Sequence, residues 1–167
     1  MQTIHCTALL AAALLATSGA LASGNHAGGH DHNETEAIGK PGVAAKVVRT
    51  VNVEMTDAMR FKPANIDVKQ NETVRLAVTN SGSVKHELVL GTAKELKEHY
   101  ELMKKNPEME HADANMLTLA PCKSGEIIWQ FTKAGEIDFA CLQPGHYDAG
   151  MKGAVKVSPA TGKSVSK

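Results

Sequence analysis

The stretch "TVRLAVT" (73–79) places Val74, Leu76 and Val78 at every second position. A period of two puts all three on one face of an extended chain, which suits a half-buried strand and not a helix. The rhythm recurs along the chain. "VVRTVNV" (47–53) carries Val47, Val51 and Val53 as its apolar members, and "HELVL" (86–90) is a short strand. "EIIWQFT" (126–132) and "EIDFAC" (136–141) are two more, joined by the turn Lys133-Ala134-Gly135. Trp129 alternates with Ile127 and Phe131 and reads as core; "KGAVKVS" (152–158) is the last strand. Short strands punctuated by Gly, Asn and Pro predict an all-β fold, an antiparallel sandwich or barrel.

One segment breaks the rhythm. In "GTAKELKEHYELMKK" (91–105), Thr92 followed three residues later by Glu95 is a capping box, the signature of a helix start. Leu96, Tyr100 and Met103 share one helical face, and Pro107 marks the stop. Residues 91–118 therefore read as a helix and loop inserted between two strands.

The termini read differently. The run Ala8–Ala16 is apolar but too short to span a bilayer, and it leads into the small-x-small triplet Ala20-Leu21-Ala22. Residues 1–22 are thus expected to be a secretory signal peptide, which points to the periplasm and to no membrane insertion after cleavage. Residues 23–46 read as a flexible, His-rich tail that includes His26, His30 and His32. Residues 47–158 form the domain, and 159–167 a C-terminal tail. The 18 basic residues balance the 18 acidic ones, so charge offers no argument for nucleic acid as a partner.

Of the three cysteines, Cys6 falls in the signal segment, which leaves Cys122 and Cys141. In an oxidising compartment two cysteines ordinarily suggest a disulfide. The surroundings of Cys141 suggest something else. "CLQPGHYDAGM" (141–151) holds Cys141, His146 and Met151 with four residues between each pair. Pro144 and Gly145 bend the chain before the histidine, and Gly150 bends it before the methionine. Thiolate, imidazole and thioether together suit copper, and an axial methionine is the mark of a type 1 site. Such a site needs a second imidazole. His86, at the start of a strand after the turn-like "NSGSVK" (80–85), is the best candidate. Cys122, in "LAPCKSGE", is expected to be a free, partly buried thiol.

The segment "NSGSVKHELVLG" followed by "FACLQPGHYDAGMKGAVKV" closely resembles the cupredoxins, above all the periplasmic cupredoxins associated with bacterial copper tolerance. The resemblance runs over roughly 47–158 and takes in "MTDAMRFKPANIDVKQNETVRLAVTN" and "EMEHADANML". It implies a Greek-key β-sandwich with one copper held by His86, Cys141, His146 and axial Met151. It also implies electron transfer with a transient redox partner protein, in a setting of copper tolerance. Copper buffering or delivery without an obligatory redox partner is the alternative. An enzyme such as a copper oxidase or nitrite reductase needs further histidines at fixed positions. Only His99 and His111 remain outside the signal segment, the tail and the type 1 set, so the chain is expected not to be an enzyme, with cuprous oxidation left open.

Secondary copper ligands are sought in His26, His30 and His32 of the tail and in Met109, His111 and Met116 of the insertion, where thioethers and imidazole suit Cu(I). Met55, Met59 and Met103 read as apolar packing.

Overall fold

The structure, a computed structural model, describes residues 35–160 except 108, 110 and 111. The strands are β1 (Lys40–Pro41), β2 (Arg49–Thr56), β3 (Arg60–Lys62), β4 (Asn65–Lys69) and β5 (Thr73–Asn80). They continue with β6 (His86–Gly91), β7 (Met116–Leu119), β8 (Ser124–Gln130), β9 (Gly135–Ala140) and β10 (Lys152–Ser158). The described residues also form two α-helices, α1 (Thr35–Ile38) and α2 (Ala93–Lys105). The strands form two five-stranded sheets, ordered β1-β8-β5-β2-β3 and β4-β10-β9-β6-β7.

The period-two residues explain the layering. Val53 and Met55 of β2, Val74, Leu76 and Val78 of β5, and Ile127 and Trp129 of β8 are all buried. They meet Ile137 and Phe139 of β9 and Val155 and Val157 of β10 in one cluster between the sheets. Met55 packs in this core at 0% exposure and Met59 against its edge, as their apolar reading predicts. Strand β6 is the exception to alternation, with all six residues buried. The reason is α2. Its Leu96 and Tyr100 pack on Val89, Ala140 and Leu142, on the face of the sheet that points away from the sandwich core. A strand covered on both sides does not need to alternate. The capping box forms as the sequence predicts: Thr92 Oγ1 accepts the Glu95 amide, and the Glu95 carboxylate accepts the Thr92 amide.

The structure amends the sequence reading in three places. Pairing is not wholly antiparallel, because β2 runs parallel to β5 and β4 parallel to β10. The insertion is shorter than 91–118, since Met116–Leu119 form β7 and pair with β6. Residues 35–46, expected as part of the tail, contribute structure instead. Strand β1 pairs with β8, Ile38 is buried at 2% exposure, and its carbonyl accepts the indole N–H of Trp129 at 2.7 Å. Two residues of edge strand carry no periodicity, which is why the pattern does not reveal them. His26, His30 and His32 lie outside the described residues.

Candidate metal centre

His86 opens β6, Cys141 follows β9, and Met151 precedes β10. Because β6 and β10 both flank β9, three neighbouring strands deliver these side chains to one end of the sandwich. His146 comes from the intervening loop. Ligand atoms of His86, Cys141 and His146 lie within 4.8 Å of one another. The Cys141 Sγ is 3.2 Å from His146 Nδ1, and the two imidazole centroids are 4.9 Å apart. Cys141 and Met151 are fully buried, as is His86, while His146 is only half-buried.

The loop is tied to itself. The His146 amide donates to Gln143 O, Ala149 to Gly145 O and Gly150 to Tyr147 O. The Met151 amide donates to His146 O at 3.0 Å, and the Cys141 amide to Met151 O at 3.1 Å. Cys141 and Met151 are therefore clamped backbone to backbone, with His146 on the intervening arch. Gly145 and Gly150 adopt φ of 83° and 91°, where a side chain brings strain, so the bends read from the sequence are real.

Electrostatically the pocket is arranged for a cation. Burial pushes the Cys141 thiol up to about 12, against the opposing amides of Gln143 and Glu87; the Glu87 N–H donates to Sγ at 3.3 Å. Burial also lowers His146, and the neighbouring His86 lowers it further. Both effects favour a neutral imidazole with a lone pair to offer. One observation points to a metal. His86 Nδ1 is buried and has no hydrogen-bond partner among the described residues, a costly condition for a polar atom unless something binds it. A soft thiol, two imidazoles and a thioether beside that orphaned nitrogen fit copper.

The disulfide alternative fails at Cys141, whose thiol is free and buried. Cys122 also departs from expectation. It is exposed at a turn with φ of 58° rather than partly buried. Of the secondary candidates, Met116 is half-buried against the apolar cluster under α2. Met109 is exposed and lines a cavity of about 270 Å³ with Met103 and Glu87, and His111 is outside the described residues.

Sequence reasoning missed the supports of the site. Tyr100 of α2 donates its hydroxyl hydrogen to Asp148 at 2.8 Å and accepts the Gly145 amide at 3.1 Å. Asp57, in the turn after β2, reaches His86 Nε2 at 3.1 Å. Neither carries a local signal, because each partner lies at least 29 residues away.

Comparison with known proteins agrees with this geometry. The family model for copper-binding proteins of the plastocyanin/azurin family matches residues 47–158. The chain is 50% identical to a copper-resistant cuproprotein CopI of Rubrivivax gelatinosus over 154 residues, 89% of this chain and 93% of the relative. It is 37% identical to a protein of the same name from Pseudomonas aeruginosa, over 74% of this chain and 84% of that one. Among solved structures, auracyanin B superposes with a TM-score of 0.61 at 27% identity, covering 72% of this chain and 96% of that one.

Proposed function

Since this chain belongs to the plastocyanin/azurin family of copper-binding proteins, as a cupredoxin close to CopI with a type 1 copper centre, we propose that His86, Cys141, His146 and Met151 hold its copper and that it serves copper resistance as a one-electron carrier. The orphaned, buried Nδ1 of His86 carries this reading. Copper in such a set supplies a Cu(II)/Cu(I) couple for single-electron transfer.

The chain's own residues favour the carrier role. The donors are fixed before any metal arrives: His86 and Met151 by burial, Cys141 by the Glu87 amide and the Met151 carbonyl. Ligands that do not move need little reorganisation when charge changes. His146 alone reaches toward solvent, so its ring edge is the natural electron port. The exposed Pro144 and half-buried Tyr147 beside it offer a small apolar rim for a transient redox partner, as suits weak redox encounters. With His86, Cys141, His146 and Met151 all donating, a bound copper would have little room for a substrate, which supports a carrier over an enzyme.

The same reading takes residues 1–22 as a signal peptide, places the mature protein in the periplasm and assigns the tail histidines to copper capture. The link to copper resistance rests on the named relatives. Visible and EPR spectra of the protein titrated with Cu(II), with copper counted per chain, test the proposal. One copper per chain with intense thiolate–copper absorption is expected, and Cys141→Ser should abolish that band. A band that survives the substitution overturns the assignment.

A further inference from the structure

The imidazole of His86 is completely buried, yet among the described residues only one of its nitrogens has a hydrogen-bond partner. Nε2 lies 3.1 Å from Asp57 Oδ1. An ionised carboxylate only accepts hydrogen bonds, so Nε2 carries the hydrogen, and in the neutral ring Nδ1 is then the bare nitrogen. Asp57 is itself held in place. The Ser83 amide donates to its Oδ2 at 2.8 Å, and the Ser83 hydroxyl donates to the same oxygen. The loop that supplies Ser83 is anchored by Asn80, which is fully buried. The Asn80 amide group donates to Val84 O at 2.8 Å and Leu119 O at 3.0 Å, and its oxygen accepts the Gly82 N–H at 2.9 Å. Gly82 closes the contact. A Cβ there would stand 2.1 Å from Asp57 Oδ1 and 3.1 Å from His86 Nε2, so the pair fits only because residue 82 has no side chain.

We propose that Asp57 is a positioning residue of the metal centre, whose carboxylate locks His86 as the Nε2–H tautomer, turns bare Nδ1 toward Cys141 and His146, and favours Cu(II) over Cu(I) by its negative charge. The proposal rests on the ligand reading given above for His86. A carboxylate behind a ligating imidazole raises its basicity, and loss of such a partner typically costs about 10- to 100-fold in metal affinity. The Asp57 side chain is 40% exposed, so solvent damps its charge, and the low end of that range applies.

The test uses the full chain and two readouts. In the metal-free protein, long-range nitrogen–proton NMR of the His86 ring should show hydrogen on Nε2 alone. Asp57→Ala should leave a mixture of tautomers. Asp57→Asn keeps an accepting oxygen and should keep the tautomer. In the copper-loaded protein, Asp57→Asn should weaken Cu(II) about tenfold relative to Cu(I), raising the potential by about 59 mV for a one-electron couple. Ser83→Ala, which keeps the carboxylate but removes one of the two bonds that hold it against His86, should loosen that contact and shift the potential the same way by less, and serves if the Asp57 variants do not fold. A pure Nε2–H tautomer in Asp57→Ala, or an unchanged potential in Asp57→Asn and Ser83→Ala, overturns the proposal. If the wild-type protein shows no thiolate–copper absorption, the ligand reading fails, whereas the metal-free tautomer measurement still judges Asp57 on its own.

Discussion

The hydroxyl of Tyr100 stands between two points of the ligand loop, accepting the Gly145 amide at 3.1 Å and donating to Asp148 at 2.8 Å. The Tyr100 ring also stacks on Tyr147 with centroids 5.0 Å apart, so α2 braces both sides of His146. Burial, then the bond to Asp148, raises the Tyr100 hydroxyl above its usual value, keeping it a neutral donor. Tyr100→Phe keeps the stack and deletes both bonds. It should cost about 0.5–1.5 kcal/mol, the net worth of an ordinary hydrogen bond, because Gly145 and Asp148 are exposed and can turn to water. Urea denaturation of the metal-free protein measures this, and an unchanged midpoint would show that the brace is ornamental.

Met151 is fully buried and clamped to Cys141 through its carbonyl. Met151→Leu nearly conserves volume, so the fold should lose under about 1.5 kcal/mol. Removing the thioether should leave copper bound and the thiolate absorption present while raising the potential, since an axial donor favours Cu(II). Redox titration of the loaded variant checks it; an unaltered potential would remove Met151 from the ligand set.

Glu72 supplies a pH dependence remote from the metal. Burial pushes its carboxyl up, but the Lys69 amide and the Arg49 guanidinium outweigh that and leave it below the ordinary 4.5. Those partners stand at 2.7 and 2.6 Å. A carboxyl depressed in the folded state adds stability above its unfolded value, and that stability is lost as pH falls through the folded one. Glu72→Gln should therefore be less stable by about 1–3 kcal/mol at neutral pH, with the gap closing below 4.5. Parallel denaturation curves at pH 7 and pH 3 measure it. A gap that persists at pH 3 would assign the loss to packing.

Gly153 of β10 faces Phe139. A Cβ there would lie 2.2 Å from the Phe139 ring and 2.6 Å from the Ala64 carbonyl. Phe139 is fully buried and packs edge-on against Phe61 at 5.0 Å, so it has nowhere to go. Gly153→Ala should cost about 1–3 kcal/mol through overpacking, read as a lowered thermal midpoint. A neutral result would mean the core yields more than this packing allows.

What the sequence discloses about this molecule depends on range. Val74, Leu76 and Val78 announce β5 because periodicity needs only neighbours, and Thr92 and Glu95 announce the start of α2 for the same reason. Cys141, His146 and Met151 are legible because one loop carries all three. The short strands β3 and β4 are not, since "RFKPANIDVK" breaks its alternation at Pro63 and leaves only Ile66 and Val68 to mark β4. Ile38 looks like tail until Trp129, 91 residues away, takes its carbonyl. Asp57, in the turn after β2, and Tyr100, inside the insertion, likewise acquire meaning only from distant partners.

The raised thiol of Cys141 has a consequence for the protein's life without metal. A thiol pushed up to about 12 is almost wholly protonated at neutral pH, and it is the thiolate that attacks disulfides and meets oxidants. Buried and protonated, the sulfur offers stray disulfides and oxidants little thiolate to react with. The same burial that shapes the metal centre thus also guards its thiol in a molecule without metal.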